Sequence, residues 1–309
     1  MTQMAQIAFR WWVRVCLAIM LALVSFVGGC DKSPSANQTA ATAPAAAEVR
    51  IVSLSPAITR TLADLAVASM IVGRTPHCHS IKQSVPVVGD LVNVDYEQLV
   101  RLNPTHILVQ PPSSGLDPHL AEVAKEHGWK IATWKLNTVD DIEQLVRDLP
   151  GTLFADGTPE LAEASKHAAR MLNDIANAMS PAQPTTFRGK VIIVNSVDPI
   201  LAGRSGTYLG DILAAQGGVN AVADKGWVQL SMEDAARINP DAIIVINTTG
   251  VEGAPELLGP LWDTELKAVI DRLIGVIRHP DSQLPSSAVV EVAADMKRNL
   301  QFFAENAPQ

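Results

Sequence analysis

The chain is poor in the residues that would point to several common functions. Only 24 of 309 residues are Lys or Arg against 32 Asp and Glu, a net charge of −8. A basic face able to neutralise phosphates is therefore missing, and nucleic acid is excluded as a partner. Three cysteines, Cys16, Cys30 and Cys78, cannot build a disulfide framework. No Gly-rich phosphate loop, H-E-x-x-H, G-x-S-x-G or C-x-x-C occurs, so no recognisable catalytic constellation is present. Apolar residues, by contrast, make up 48% of the chain, ample for the cores of two domains of ordinary size.

The longest apolar run lies at the N-terminus. Arg10 and Arg14 precede Val15–Val27, which is shorter than the roughly 20 residues a bilayer span needs, and Gly28-Gly29-Cys30 follows. Residues 1–29 thus read as a signal peptide. Val27-Gly28-Gly29-Cys30 resembles the lipobox of bacterial lipoproteins, which implies that Cys30 becomes the lipid-modified N-terminus. Asp31 resembles the inner-membrane retention signal of Gram-negative lipoproteins. An uncleaved anchor over Trp11–Val27 would leave the rest of the chain in the same compartment. Residues 30–48, rich in Ser, Ala, Thr, Pro and Gln, read as a flexible tether.

A duplicated stretch organises the remainder. Asp95-Tyr96-Glu97-Gln98-Leu99-Val100-Arg101-Leu102-Asn103-Pro104 returns as Ser231-Met232-Glu233-Asp234-Ala235-Ala236-Arg237-Ile238-Asn239-Pro240. Each copy opens like a capping box and ends at Asn-Pro, where proline stops the helix before an apolar strand. The duplication proposes two similar α/β lobes, each with a glutamate in the first turn of an equivalent helix. Helices alternate with apolar strands, which favours mostly parallel central sheets. Between the copies, Thr158-Pro159-Glu160 opens a helix with no breaker before Pro181. It predicts a stiff strut joining an N-terminal lobe (49–155) through residues 156–182 to a C-terminal lobe (183–309). A helix from Pro260 to Asp271 and another from Ser286 to about Asn306 are expected near the C-terminus.

R-I-V-S-L-S-P at Arg50–Pro56, V-G-R-T at Val72–Thr75, G-R-S-G at Gly203–Gly206, G-G-V-N at Gly217–Asn220 and H-P-D at His279–Asp281, together with the two repeat helices, resemble a known family. It is that of the substrate-binding proteins of ABC importers for cobalamin, haem or ferric siderophores, whose cobalamin branch is most similar. The resemblance covers roughly Val49 to the C-terminus. It implies two lobes on one rigid helix, a monomer tethered in the periplasm, and delivery of a small molecule to a permease and ATPase complex. It implies also that Glu97 and Glu233 meet arginines of the permease, a role suited to carboxylates favoured by the helix macrodipole. Cobalamin or another metal chelate would be cargo and not a prosthetic group.

In open α/β sheets ligands lie beyond the carboxyl ends of the strands. The candidate ligand-binding residues are therefore Ser55, Pro56, His77, Cys78, His79, Pro112, Arg204, Trp227 and His279. Trp227 follows Gly226 in an expected loop, where its indole would wall a flat macrocycle. Arg204 would meet a carboxylate, phosphate or amide. Imidazole and thiolate are metal ligands, so His77-Cys78-His79 is an expected axial-ligand loop for cobalt or haem iron. A free metal ion on His77, His79 and His279 is the rival arrangement. A chelatase-like α/β enzyme, and an anchored scaffold with a packed cleft, are the alternatives outside transport.

Overall fold

The structure is a computed structural model that describes residues 48–90, 92–181, 187–223 and 225–308. The signal peptide, Cys30 and most of the tether lie outside the described residues. No helix among those described is long and apolar enough to cross a membrane.

The first sheet is formed by β1 (Ile51–Ser53), β2 (Ile71–Arg74), β3 (His106–Val109) and β4 (Lys130–Thr133), all parallel in the order β2-β1-β3-β4. Between them run α1 (Pro56–Asp64), α2 (Tyr96–Leu102) and α3 (Pro118–His127). After β4 come α4 (Val139–Leu153) and the long α5 (Pro159–Ala178). The second sheet holds β5 (Lys190–Val197), β6 (Ile200–Gly203), β7 (Val219–Asn220), β8 (Trp227–Leu230), β9 (Ala242–Ile246) and β10 (Ile274–Ile277), in the order β10-β9-β5-β6-β8, with β7 beside the start of β5. Its helices are α6 (Tyr208–Ala215), α7 (Met232–Ile238), α8 (Ala254–Leu258), α9 (Lys267–Ile270) and α10 (Val289–Asn306).

The repeat copies become α2 and α7. Asp95 and Ser231 cap them, accepting from the Gln98 and Asp234 N–H groups. Only the second copy closes the reciprocal half of a capping box, because Asp234 turns back to Ser231 whereas Gln98 accepts from Arg101. Asn103 and Asn239 end both helices in the left-handed region, at φ 44° and 43°, a conformation asparagine tolerates. Their side chains do parallel work: Asn103 Oδ1 accepts from Trp129 Nε1–H at 3.2 Å, and Asn239 Oδ1 from the Lys267 N–H at 2.9 Å.

In the central strands β1, β3, β5 and β9 neighbouring residues face opposite sides, and both sides are largely buried. Val52 and Ile107 pack outward under α2 and α3, while Ile51 and Leu108 face inward. Ile192 and Ile243 likewise pack outward, and Ile193 and Ile244 inward. Both inward faces belong to one continuous apolar cluster that includes Ile58, Leu145, Met171, Leu209 and Phe303. The strut α5 contributes Ala164, Ala168, Met171 and Ile175, a single stripe at helical spacing. It starts on Thr158 as N-cap with Pro159 in the first turn.

The second sheet is mostly parallel, as expected, but β6 is antiparallel to β5 and β8, because Val197 and Ile200 are too close in sequence for anything but a hairpin. The helix expected over 260–271 does not form as one element: a short 3₁₀ turn (Gly259–Leu261) and the single turn of α9 stand there, with residues 262–266 between them. The helix α4, unforeseen in the sequence, is set by Thr138, whose hydroxyl accepts from Asp141 N–H while Asp141 returns to the cap.

Candidate functional site

In each sheet the chain reverses its winding at one place, and there the carboxyl ends of two strands leave a crevice. In the first sheet this lies between β1 and β3. Ser55 stands at its edge but is 1% exposed: its Oγ donates to Gln110 Oε1 at 2.9 Å and accepts the Ile58 N–H as the cap of α1. Its expected direct contact with a ligand is corrected to a supporting role, because helix capping has consumed the hydroxyl. Gln110, half-buried at the end of β3, is the rim residue the sequence analysis missed; its position directly after an apolar strand was the available signal. Pro56 is half-buried, and Pro112 is exposed in the loop after β3.

The loop after β2 is held from inside. Arg74, 5% exposed, donates to the carbonyls of Val85, Thr75 and Gln83, each at 3.0 Å. Cys78 is 1% exposed, with Sγ 3.0 Å from Thr59 Oγ1 and 3.2 Å from Thr75 Oγ1. Its expected place in the ligand-binding set is therefore corrected: the sulfur packs against α1 as a small buried group. His77 and His79, on either side, are exposed. Asp90 lies near enough to His77 for the imidazole to contribute to holding its carboxyl below the usual range, after the larger effects of the Asn93 and Val92 N–H groups.

His279, half-buried after β10, accepts the Asp281 N–H at Nδ1 over 3.1 Å. A neutral ring that accepts at Nδ1 carries its proton on Nε2, so that nitrogen has no lone pair for a metal. Among the described residues no three His, Cys, Asp or Glu side chains converge on a possible ion position. The free-ion arrangement on His77, His79 and His279 is accordingly set aside.

Trp227 is the first residue of β8 and not a loop residue, yet it is 41% exposed. It pairs with Gly203 across the strands, and its ring covers that glycine: a Cβ there would lie 3.2 Å from the indole. Arg204 donates from Nε to the Gly226 carbonyl at 3.2 Å and from Nη2 to that of Trp227 at 3.3 Å, fixing the strand start that presents the indole.

The lobes are tied beneath these rims. The Tyr208 N–H donates to the Asn137 carbonyl at 2.6 Å, and Asp211 Oδ2 accepts the Val139 N–H at 3.1 Å. Burial raises the Asp211 pKa, which the Val139 N–H partly offsets and the charge of Asp140 reinforces. Tyr208 Oη donates to the Ser282 carbonyl, and burial pushes its phenol upward. Arg60 of α1 reaches Asp64 (2.8 Å), Asp281 (2.7 Å) and Glu291 (3.1 Å). Burial alone would lower its pKa, but the hydrogen bonds to Asp64 and Asp281 more than offset this and raise it.

Glu97 and Glu233 both project into solvent from first turns. Glu97 pairs with Arg101 at 2.9 Å, whereas in the second copy Arg237 pairs with Asp234 and leaves Glu233 outside that pair.

A periplasmic binding protein family model matches residues 51–273. An uncharacterised ABC transporter substrate-binding lipoprotein of Bacillus subtilis, YvrC, is 27% identical over 209 residues, 66% of this chain; the match spans 64% of that relative, just under two thirds of its length. The periplasmic haem-binding protein RhuT of Roseiflexus sp. RS-1 superposes with a TM-score of 0.65 at 22% identity, covering 84% of this chain and all of that one. The periplasmic vitamin B12 binding protein BtuF of Vibrio cholerae superposes with a TM-score of 0.62 at 19% identity, covering 82% and 96%. These two likenesses establish the two-lobed fold.

Proposed function

The chain belongs to the periplasmic binding protein family, and from that premise we propose that it captures a flat metal-bearing macrocycle between its lobes and hands it to an ABC permease and its ATPase. The cargo in this reading is a corrinoid. The observation that carries it is Trp227, an indole laid over Gly203 with 41% of its surface left open. An aromatic wall held by strand pairing and by Arg204 suits stacking on a planar ligand. The many ties between lobes favour a preformed cleft. The protein acts as a monomer, lipidated at Cys30 and tethered on the periplasmic side, at the inner membrane if the source is Gram-negative. Glu97 and Glu233 are its docking groups.

Haem is the second reading. His77 and His79 are exposed imidazoles on a loop stapled by Arg74, and imidazole is a ligand for iron and cobalt. The haem-binding relative supports it and the B12-binding relative supports the first.

Titration with aquocobalamin and with hemin, followed by tryptophan fluorescence and visible absorption, tests both. We expect saturable quenching without turnover, weakened about tenfold by Trp227→Ala, in the range of roughly 1.4 kcal/mol. A spectral shift abolished by His77→Ala or His79→Ala identifies the axial ligand. Absence of saturable binding by either macrocycle would defeat the proposal.

A further inference from the structure

Asn195 stands at the crevice of the second sheet, where β5 and β9 part. It is the bulged residue of β5: Val194 pairs with Ala202 and Ser196 with Leu201, so Asn195 has no partner on β6. The pairing of β5 with β9 ends one residue earlier, at Val194 and Val245. Bulges of this kind release a residue from the ladder and re-aim its side chain.

The carboxamide is also unsatisfied. Asn195 is half-buried, and its Oδ1 is closed off from solvent without any hydrogen-bond donor. Asn247, the residue directly after β9, shows the contrast. It is 5% exposed and fully used: Nδ2 donates to the Val251 carbonyl at 2.7 Å, while Oδ1 accepts from the Thr249 N–H at 3.2 Å and hydroxyl at 3.1 Å. One asparagine shapes its loop. The other keeps both donor and acceptor uncommitted, on a backbone the ladder does not hold. A buried polar group without a partner costs free energy, and that cost disappears when a partner arrives.

Resting on the macrocycle reading above, we propose that Asn195 turns its carboxamide into the cleft and selects a ligand edged with carboxamides over one edged with carboxylates. Two carboxamides pair through two N–H···O bonds, each supplying one donor and one acceptor. A carboxylate only accepts. It can engage Nδ2 but leaves Oδ1 as unsatisfied as before. A site built to hydrogen-bond discriminates most strongly against the analogue that leaves its buried polar atom unpaired. The peripheral amides of a corrinoid meet this requirement, and the propionates of haem do not.

The experiment compares wild type with Asn195→Leu, a near-isosteric change that removes the orphan acceptor. Affinities for cyanocobalamin, for a cobalamin with one peripheral amide hydrolysed to carboxylate, and for hemin are read by tryptophan fluorescence. Thermal unfolding of the ligand-free proteins is read alongside. The expected result is a rise in Tm of about 2–4 °C for the free variant, about tenfold weaker cyanocobalamin binding, and hemin binding unchanged within about twofold. Asn195→Ala gives the same affinity pattern should the leucine variant not fold. A fall in Tm for a folded Asn195→Leu, equal loss for both macrocycles, or unchanged cyanocobalamin affinity would overturn the proposal while leaving the macrocycle reading intact. Wild type that binds hemin more tightly than cyanocobalamin would overturn it too. Wild type that binds neither would overturn both together.

Discussion

His106 opens β3 with its ring 4% exposed. Nδ1 lies 2.8 Å from Thr105 Oγ1, and Nε2 is buried with no group in hydrogen-bonding geometry; the Thr152 backbone approaches and offsets the shift only in part. Burial, and then the charge of Lys130 on the adjacent strand, lower its pKa below 6.5. The folded state therefore resists a proton that the unfolded chain accepts. Stability is full above pH 6.5 and falls as the pH drops from there toward the folded pKa. His106→Gln should flatten that part of the Tm profile just below about pH 6.5, compared with wild type by calorimetry; parallel profiles would rule out the assignment. The same scale shows why rim residues were only partly legible. His77 and His79 are exposed, but Cys78 between them faces the Thr59 and Thr75 hydroxyls. Local sequence could not say which member of the triplet points inward, because that is decided by α1 packing above the loop.

At the scale of elements, signals carried by neighbouring residues were readable. Asp95, Ser231, Thr158 and the Asn-Pro stops all act where the sequence placed them. Elements whose signals are weak or depend on distant pairing were not, as α4 and the β5–β6 hairpin show. The tight seat of α6 is another such case. Gly210 lies in its first turn, where a Cβ would meet the Arg204 carbonyl oxygen at 2.1 Å. No side-chain rotation relieves a clash with backbone. Gly210→Ala should cost about 1–3 kcal/mol by displacing the loop from Arg204 to Thr207, and should weaken macrocycle binding through the lost support of Trp227. A fully stable Gly210→Ala protein in denaturant titration would refute the close approach.

At the scale of the whole molecule, the inner faces of both sheets share one apolar cluster with α4, α5, α6 and α10. Separating them would expose core, and Arg60 to Asp281 and the Tyr208 N–H to the Asn137 carbonyl add polar ties across the same joint. Cleft closure on ligand binding should therefore be small. A rigid body also fixes the spacing of Glu97 and Glu233, which is what a two-point grip on a permease requires. Reversing both charges, Glu97→Arg with Glu233→Arg, should abolish uptake while leaving ligand affinity within about twofold, since exposed charges contribute little to the fold. Uptake assays in cells beside titration of the purified protein separate the two effects, and normal uptake would eliminate these groups as docking points.

The duplication, the caps, the long uninterrupted helix and the alternation of strand and helix are properties of neighbouring residues, and they alone determined an α/β chain of two related lobes. Which rim atoms remain uncommitted was decided only by tertiary contacts. Ser55 is consumed by Gln110, His279 by the Asp281 N–H, and Asn195 is left over by a slip in strand register. The physical reason is that hydrogen-bond satisfaction is a sum over partners distant in sequence, so a polar residue's availability to a ligand exists only once the chain has folded.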